Sequence, residues 1–158
     1  MYKAAIVGAL AFGLSAPTLP DVVLTGSAKD CAGRNYVQVP GVTLAAFDPA
    51  QNKPLVDLLK SMDTADFVEA DLAAMARFTA KYSELVRLVS TANALARATT
   101  NSAGEFSLSV STRDSVLVVG YQLTEDEPNY YSHRLIAGRT NGSFVLDMSR
   151  GECHYPED

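Results

Sequence analysis

This chain of 158 residues has little histidine, few positive charges and no tryptophan. It holds two His, and its 13 Lys and Arg are outnumbered by 18 Asp and Glu, which gives a formal net charge of −5. An acidic chain without a basic stripe interleaved with aromatics argues against nucleic-acid binding. The lack of Trp also weakens a carbohydrate-binding interpretation, although seven Tyr keep that alternative open.

Catalytic and metal-binding motifs are lacking as well. The sequence contains no G-x-S-x-G, P-loop, H-E-x-x-H or dinucleotide fingerprint. His133 stands beside Ser132 and Arg134, His154 lies near the end of the chain, and the acidic stretch at 124–127 lacks calcium-loop spacing. The two Cys and two His show no ligand spacing either. We therefore predict no catalytic residue, no metal site and no cofactor.

The first residues resemble a secretory signal in outline. Lys3 supplies a short positive region, residues 4–16 form an apolar run, and prolines break the run directly afterwards. The run is too short to span a bilayer comfortably. We predict a signal peptide at 1–16, cleaved near residues 13–16, and a secreted or periplasmic protein without a stable membrane span. The alternative is a buried first strand or helix of the domain.

Cysteine use agrees with export. The two cysteines, Cys31 and Cys153, lie near the two ends of the mature chain. Because domain termini often lie close together, one disulfide could close nearly the whole fold. In the chain-entropy model a loop of that length is worth roughly 4–5 kcal/mol. Two unrelated thiols are the alternative.

Short β patterns flank the middle of the chain. Alternating or continuous apolar runs bounded by turn residues predict strands. The predicted strands are 22–26, 41–47, 106–110, 114–123, 135–137 and 143–148. Gly33 and Arg34 are expected in a turn, residues 124–134 in a long polar loop, and Asn141-Gly142 in a hairpin turn.

Between residues 50 and 98 the pattern becomes helical. Asn52 can cap a helix with Pro54 in its first turn, which predicts a helix over about 53–62. A second helix is predicted over about 64–98, on the order of 50 Å long. Its apolar residues share one arc, and the favoured interpretation is packing on its own domain. Leu88 and Leu95 fall outside that arc, so this half of the helix needs a second neighbour, either the short helix or another chain.

Two motifs in the β portions carry a resemblance to a known family. They consist of Gly41, Val42 and Leu44, followed by Thr100, Gly104, Phe106 and Leu108. Their order resembles the carboxypeptidase regulatory-like domain, a transthyretin-like (prealbumin-like) β-sandwich. The resemblance covers about 22–48 and 99–148, and about fifty helical residues stand where the family has a short loop. We expect Gly104 to supply a backbone angle that a side chain would resist, and Phe106 to anchor the core.

The predicted fold is mostly β with an α insertion. It is a transthyretin-like, Greek-key β-sandwich of about seven strands, forming a single domain over 17–158 with the helical insertion at 50–98. The resemblance implies a noncatalytic role, because domains of this family are usually stabilising or binding modules. Transthyretin-like hydrolases share the fold class, but their His/Arg site and C-terminal Tyr-Arg-Gly-Ser motif are missing here.

We therefore predict an exported, noncatalytic protein that acts in protein–protein interaction or in envelope structure, with an unknown protein partner. The alternative is a small-ligand or glycan-binding module that uses tyrosines as stacking groups, and a hydrolase is the least favoured interpretation. The predicted contact residues lie on the long loop and on the second helix, because binding groups often sit on loops. They are Tyr130, Tyr131, His133, Arg134, Leu88 and Leu95.

Overall fold

The computed structural model describes residues 21–32, 35–63, 72–111, 113–123 and 130–149. This part of the chain is mostly β with two inserted helices, as predicted, and the helices lie between the third and fourth strands. The elements are β1 (Asp21–Ala32), β2 (Asn35–Gln38), β3 (Thr43–Phe47), α1 (Lys53–Asp63), α2 (Leu72–Thr91), β4 (Ala96–Thr99), β5 (Glu105–Ser111), β6 (Val116–Gln122), β7 (Tyr130–Ile136) and β8 (Gly142–Asp147). The predicted signal peptide, the turn at 33–34 and Cys153 lie outside the described residues.

The strands form two sheets. In the first sheet the long strand β1 is central: β5 and β2 pair antiparallel with successive parts of one edge, and β8 pairs parallel with the other. The second sheet has the order β4-β3-β6-β7, with every pair antiparallel. The inward-facing residues of both sheets form the sandwich core, and they include Val22, Leu24, Val42, Leu44, Phe106, Leu108, Val110, Val118 and Leu146.

The helices form a third layer on the outer face of the second sheet. Strands β3 and β6 are therefore covered on both faces, which explains why each is an almost continuous apolar run. The helix–sheet cluster includes Ala45, Phe47, Leu55, Leu59, Met62, Tyr82, Leu85, Val89, Leu117 and Val119. Among the described residues, neither helix combines the length and the hydropathy that a membrane crossing requires.

The predicted continuation of the second helix to residue 98 is wrong. Helix α2 ends at Thr91 after 20 residues, about 30 Å, and residues 96–99 form the edge strand β4. Strand pairing overrides helical propensity here, because the N–H of Leu95 donates to the carbonyl of Ala46 at 2.8 Å and opens the β3–β4 ladder.

Arg97 fixes the point at which α2 ends. Its guanidinium, carried on β4, donates to the carbonyls of Val89 at 2.8 Å, Ser90 at 3.3 Å and Ala92 at 3.0 Å. The last carbonyls of a helix have no partner within the helix, and a cation there also complements the helix dipole. One side chain thus joins the helical layer to the sheet on which it packs.

The strand predictions need three corrections. Strand β2 has no counterpart among the predictions, so the described residues form eight strands rather than about seven. Residues 130–134 belong to strand β7 rather than to a loop. The Asn141-Gly142 turn does not join a hairpin, because β7 and β8 lie in different sheets. The Asn141 side chain instead accepts a hydrogen bond from the N–H of Val23 at 2.9 Å.

The two glycines of the resemblance motifs occupy turns that favour glycine. Gly41 has φ +75° and Gly104 has φ +71°, both in the left-handed region. Phe106 is buried in the sandwich core, as predicted. Thr100 is buried too, and its Oγ1 donates to the carbonyl of Val39 at 2.8 Å and accepts from the N–H of Val42 at 2.9 Å. The motif residues therefore have structural roles in this fold.

Candidate functional site

Two of the predicted contact residues lie on the helix-facing side of strand β7. Tyr131 is opposite Tyr121 and His133 is opposite Val119 in the β6–β7 ladder. Residues directly opposite each other share a face of the sheet, and Tyr121 and Val119 belong to the cluster under the helices. Tyr131 and His133 therefore point toward the helical layer, and both are half-buried.

The neighbouring predicted residues are placed differently. Arg134 is exposed, and its Nη1 donates to the carbonyl of Val145 at 3.2 Å, so it links edge strand β7 to β8 of the other sheet. Tyr130 is opposite Gln122 in the ladder, and its side chain lies outside what the structure describes. The predicted group on 130–134 is thus divided between two faces of one strand.

An aromatic run connects helix α2 to strand β7. The rings of Phe78 and Tyr82 stack at 6.3 Å between centroids, and Phe78 lies 6.3 Å from Tyr131. Tyr131 in turn stacks on His133 at 6.5 Å, with 2° between the ring planes. Tyr82 is buried, and its hydroxyl donates to the carbonyl of Gln122 at 2.9 Å. The Phe78–Tyr131 pair crosses from helix to strand, and pairs at such distances stabilise by about 0.5–1.5 kcal/mol beyond area burial, so this pair helps to anchor the helix.

Exposed apolar side chains flank the aromatic run along the chain, on α2, at the end of β6 and on β7. On α2, Leu72 is 81% exposed and Met75 is 42% exposed. Leu72, Met75 and Phe78 are spaced by three residues, so they follow one another along the helix surface. Leu123, 64% exposed, follows the residue that accepts the Tyr82 hydrogen bond, and Leu135, 63% exposed, shares the face of His133. We name this surface the α2–β7 face: Leu72, Met75, Phe78, Leu123, Tyr131, His133 and Leu135.

The other two predicted contact residues pack within their own chain. Leu88 is half-buried against the helix–sheet cluster. Leu95 lies beyond the end of α2 and is half-buried against the sandwich core. The second neighbour expected for this half of the helix is therefore supplied at least in part by the chain itself. A contact of Leu88 or Leu95 with another chain stays a prediction.

A charged cleft of about 660 Å³ lies at one end of the second sheet. An ion pair of 3.1 Å joins Arg113 Nη1 to Asp48 Oδ2, and a second pair joins Arg139 to Asp114. The hydrogen bond with Asp114 raises the pKa of the Arg139 guanidinium. Because each cation already faces a carboxylate, the pairs tie three chain segments together. No linear motif signals this cleft, since topology alone brings residues 48, 113 and 139 together.

The charged cleft holds no nucleophile–histidine pair, and the described residues hold no metal-binding cluster. The charged cleft contains Ser115 but no histidine. His133 lies in the aromatic run, where its ring stacks on that of Tyr131. Among the described residues, no three His, Cys, Asp or Glu side chains cluster as a metal site requires. What this geometry offers is packing surface and paired charge.

Only one cysteine of the predicted disulfide lies in the part of the chain that the structure describes. Cys31 lies on β1 and is half-buried. Strand β8 runs parallel to β1 up to the pair Lys29–Asp147, and the N–H of Met148 donates to the carbonyl of Lys29 at 2.8 Å. The described contacts between β8 and β1 thus end at Lys29, two residues before Cys31 on β1. Since Cys153 lies outside the described residues, the bridge stays a prediction.

Comparison with known proteins gives only distant similarity. No family model matches the chain, and no curated protein matches it. The chain is similar to the shaft pilin SpaA from Lactobacillus rhamnosus GG, with 12% identity and a TM-score of 0.37 over 82% of this chain and 49% of that one. A double mutant of the same pilin gives 13% identity and a TM-score of 0.33, over 83% and 49%. The chain spans about half the length of these pilins, and the regulatory-like family assignment stays a prediction.

Proposed function

We propose that this protein is an exported, noncatalytic β-sandwich module that binds a protein partner through the α2–β7 face. The observation that carries the proposal is the exposure of Leu72 and Met75, next to an aromatic run that holds α2 on the sheet. An envelope structural or accessory role has the same physical requirement, which is a stable surface for another protein.

The composition of the α2–β7 face suits a protein interface. Aromatic residues and methionine are enriched in interface cores, and Lys and Glu are depleted there. The seven residues of the face are one phenylalanine, one tyrosine, one histidine, one methionine and three leucines, without an acidic or lysine side chain. Removing an exposed leucine or methionine from water contributes about 1.5–3 kcal/mol for full burial. Leu72, Met75 and Leu135 are 81%, 42% and 63% exposed, so a partner that covers all three would gain roughly twice that amount before its entropy costs.

The rigidity of the face favours binding as well. Tyr82 and Leu85 are buried on the sheet-facing side of α2, and the Tyr82 hydroxyl donates a hydrogen bond to the carbonyl of Gln122. Phe78 and Tyr131 are held against each other across the helix–strand boundary. A preorganised surface loses less conformational entropy on association than a mobile one. The helical insertion thereby gives the sandwich a contact surface that a short loop would not.

Export and the lack of catalysis rest on other observations. The apolar run at 4–16 behind Lys3 and the two cysteines support a secreted or periplasmic location. The paired charges of the cleft and the placement of His133 in an aromatic stack support a noncatalytic role.

The test is affinity capture from the native cell envelope with two matched double variants. Leu72→Glu/Met75→Glu places two charges on the α2–β7 face, whereas Ala80→Glu/Ser83→Glu places two charges on exposed positions elsewhere on α2. Both variants should keep the wild-type circular dichroism, with stability changes within about 0.5 kcal/mol each, as is usual for surface substitutions.

We expect a specific protein to be recovered with the wild type and with Ala80→Glu/Ser83→Glu, but lost with Leu72→Glu/Met75→Glu. Recovery of the same protein at the same level with all three chains would contradict the proposed contact surface.

A further inference from the structure

The outer edge of strand β5 carries backbone groups without a partner strand in the described part of the chain. Strand β5 pairs with β1 alone, from Glu105 opposite Ser27 to Ser111 opposite Asp21. At its start, the N–H of Glu105 donates to Asn101 Oδ1 and its carbonyl accepts from the N–H of Asn101, both at 2.9 Å. The backbone groups of Glu105 are therefore used by the preceding turn.

The direction of the backbone N–H and C=O groups alternates along β5, which identifies the residues that face its open edge. The carbonyl of Gly104 accepts from Ala28 of β1 at 2.8 Å, so residue 104 faces β1 and residue 105 faces away. In an antiparallel pair, residues that exchange hydrogen bonds with the partner alternate with residues that do not. Ser107, Ser109 and Ser111 consequently direct their N–H and C=O groups outward.

Among the described residues the β5 edge carries few of the usual protective features, and strand β4 of the second sheet lies near β5 without pairing with it. Natural edge strands are blunted by lysine, proline, bulges, short length or a covering segment. The first sheet's β8 edge meets Arg134, which bonds the carbonyl of Val145, and β4 of the second sheet has four residues including Arg97. Strand β5 has seven residues without Lys, Arg or Pro, pairs with β1 in continuous register, and carries its single charge at Glu105.

The sequence of β5 is self-complementary. Its last five residues, Ser107-Leu108-Ser109-Val110-Ser111, have the same polar and apolar order in both directions. An antiparallel pair with Ser109 opposite Ser109 of a second copy places Ser107 opposite Ser111 and Leu108 opposite Val110. Each of the three serine pairs then exchanges two backbone hydrogen bonds. No charges of like sign meet within this register.

We propose that β5 is a self-association edge, at which a second copy of this chain adds antiparallel across a two-fold axis and extends the first sheet through both sandwiches. Leu108 and Val110 are 1% and 2% exposed, so their side chains already lie in the sandwich core and the contact is made by backbone and serine hydroxyls. The same palindromic register is what favours a copy of this chain over an unrelated strand.

The area that one edge strand buries is small compared with a standard interface, so we expect a dissociation constant in the micromolar to millimolar range, about 1 μM to 1 mM. The test is sedimentation equilibrium of the full chain across that range. Ser109→Lys is the diagnostic variant, because it sets two lysines directly opposite each other in the dimer. Ser143→Lys is the matched control, since Ser143 is exposed on β8, at the other edge of the first sheet.

We expect the wild type and Ser143→Lys to form a dimer with rising concentration, and Ser109→Lys to dimerise about tenfold more weakly or not at all. A wild type that stays monomeric to about 1 mM, or a Ser109→Lys variant that dimerises like the wild type, overturns the proposal.

Hydrogen exchange of the wild type provides a readout that does not depend on the folding of a variant. The amides of Ser107, Ser109 and Ser111 should become protected as the protein concentration rises, and unchanged exchange at all three would also overturn the proposal. The Leu72→Glu/Met75→Glu variant should dimerise normally, because the α2–β7 face is a different surface. Failure of partner capture and failure of self-association are therefore distinguishable.

Discussion

Replacement of Leu85 by alanine measures how firmly the helical layer is docked on the second sheet. Leu85 is 0% exposed and lies in the helix–sheet cluster beside Tyr82, Val89 and Leu117. Truncating a buried leucine costs about 2–5 kcal/mol, from lost transfer free energy and the cavity left behind. A central value of about 3 kcal/mol corresponds to a fall in Tm of roughly 6–12 °C for a domain of this size.

Leu72→Ala is the matched control, because the same change is made on the same helix at a side chain that is 81% exposed. Urea unfolding should show a lower midpoint for Leu85→Ala with an unchanged slope, and a change within about 0.5 kcal/mol for Leu72→Ala. If Leu85→Ala were as stable as the wild type, α2 would not be packed on the sheet in solution, and the three-layer arrangement would be refuted.

Three further predictions concern single contacts. Thr100→Val should lower the free energy of unfolding by about 1–3 kcal/mol in urea titration, because the Val42 N–H and the Val39 carbonyl lose their buried partner. Thr99→Val, at an exposed position of β4, should be nearly neutral in the same titration. Gly26→Ala should lower Tm strongly or prevent folding, since a β-carbon there would lie 2.2 Å from a carbonyl oxygen of β8. The hydrogen bond with Arg87 lowers the pKa of Glu84 below its ordinary 4.5, so this pair adds stability above pH 4.5 that is lost as pH falls through the lowered pKa. Glu84→Gln should be slightly less stable than the wild type at pH 7 and equal to it in strong acid, and an equal difference at both would contradict that assignment.

Local pattern was enough to predict much of the sandwich. The alternation of Phe106, Leu108 and Val110 identified the inward face of β5, and the turn glycine before it has the left-handed φ that was expected. The change of period between β3 and β4 identified the helical insertion. These features depend on neighbours along the chain, which a periodic pattern records directly.

Features that depend on pairing between distant segments were not predicted. The two alanines in 96–99 favour a helix, yet these residues pair with β3 as a strand, in a ladder that begins at Leu95. The polar composition of 130–134 resembles a loop, and only the buried partner strand β6 makes it an edge strand. The Asn141-Gly142 pair favours a tight turn in isolation, but the chain crosses there from one sheet to the other.

Only part of the α2–β7 face could be predicted from the sequence, because the face depends on contacts between distant segments. Tyr131 and His133 are among the contact residues that the sequence predicts, whereas Phe78 is not. That Phe78 meets Tyr131 follows from the docking of α2 across β6 and β7, which a single sequence does not encode locally. Leu88 and Leu95 were selected because they lie outside the helical arc, but both help to fill cores of this chain.

The most direct test of the proposed contact surface is photo-crosslinking in the native host. A photoreactive amino acid would be placed at position 75 on the α2–β7 face and, separately, at the exposed position 83 of the same helix. We predict a discrete cross-linked adduct to one partner protein from position 75 and none from position 83. No adduct at position 75, or the same adducts from both positions, would contradict the assignment of this face as the contact surface.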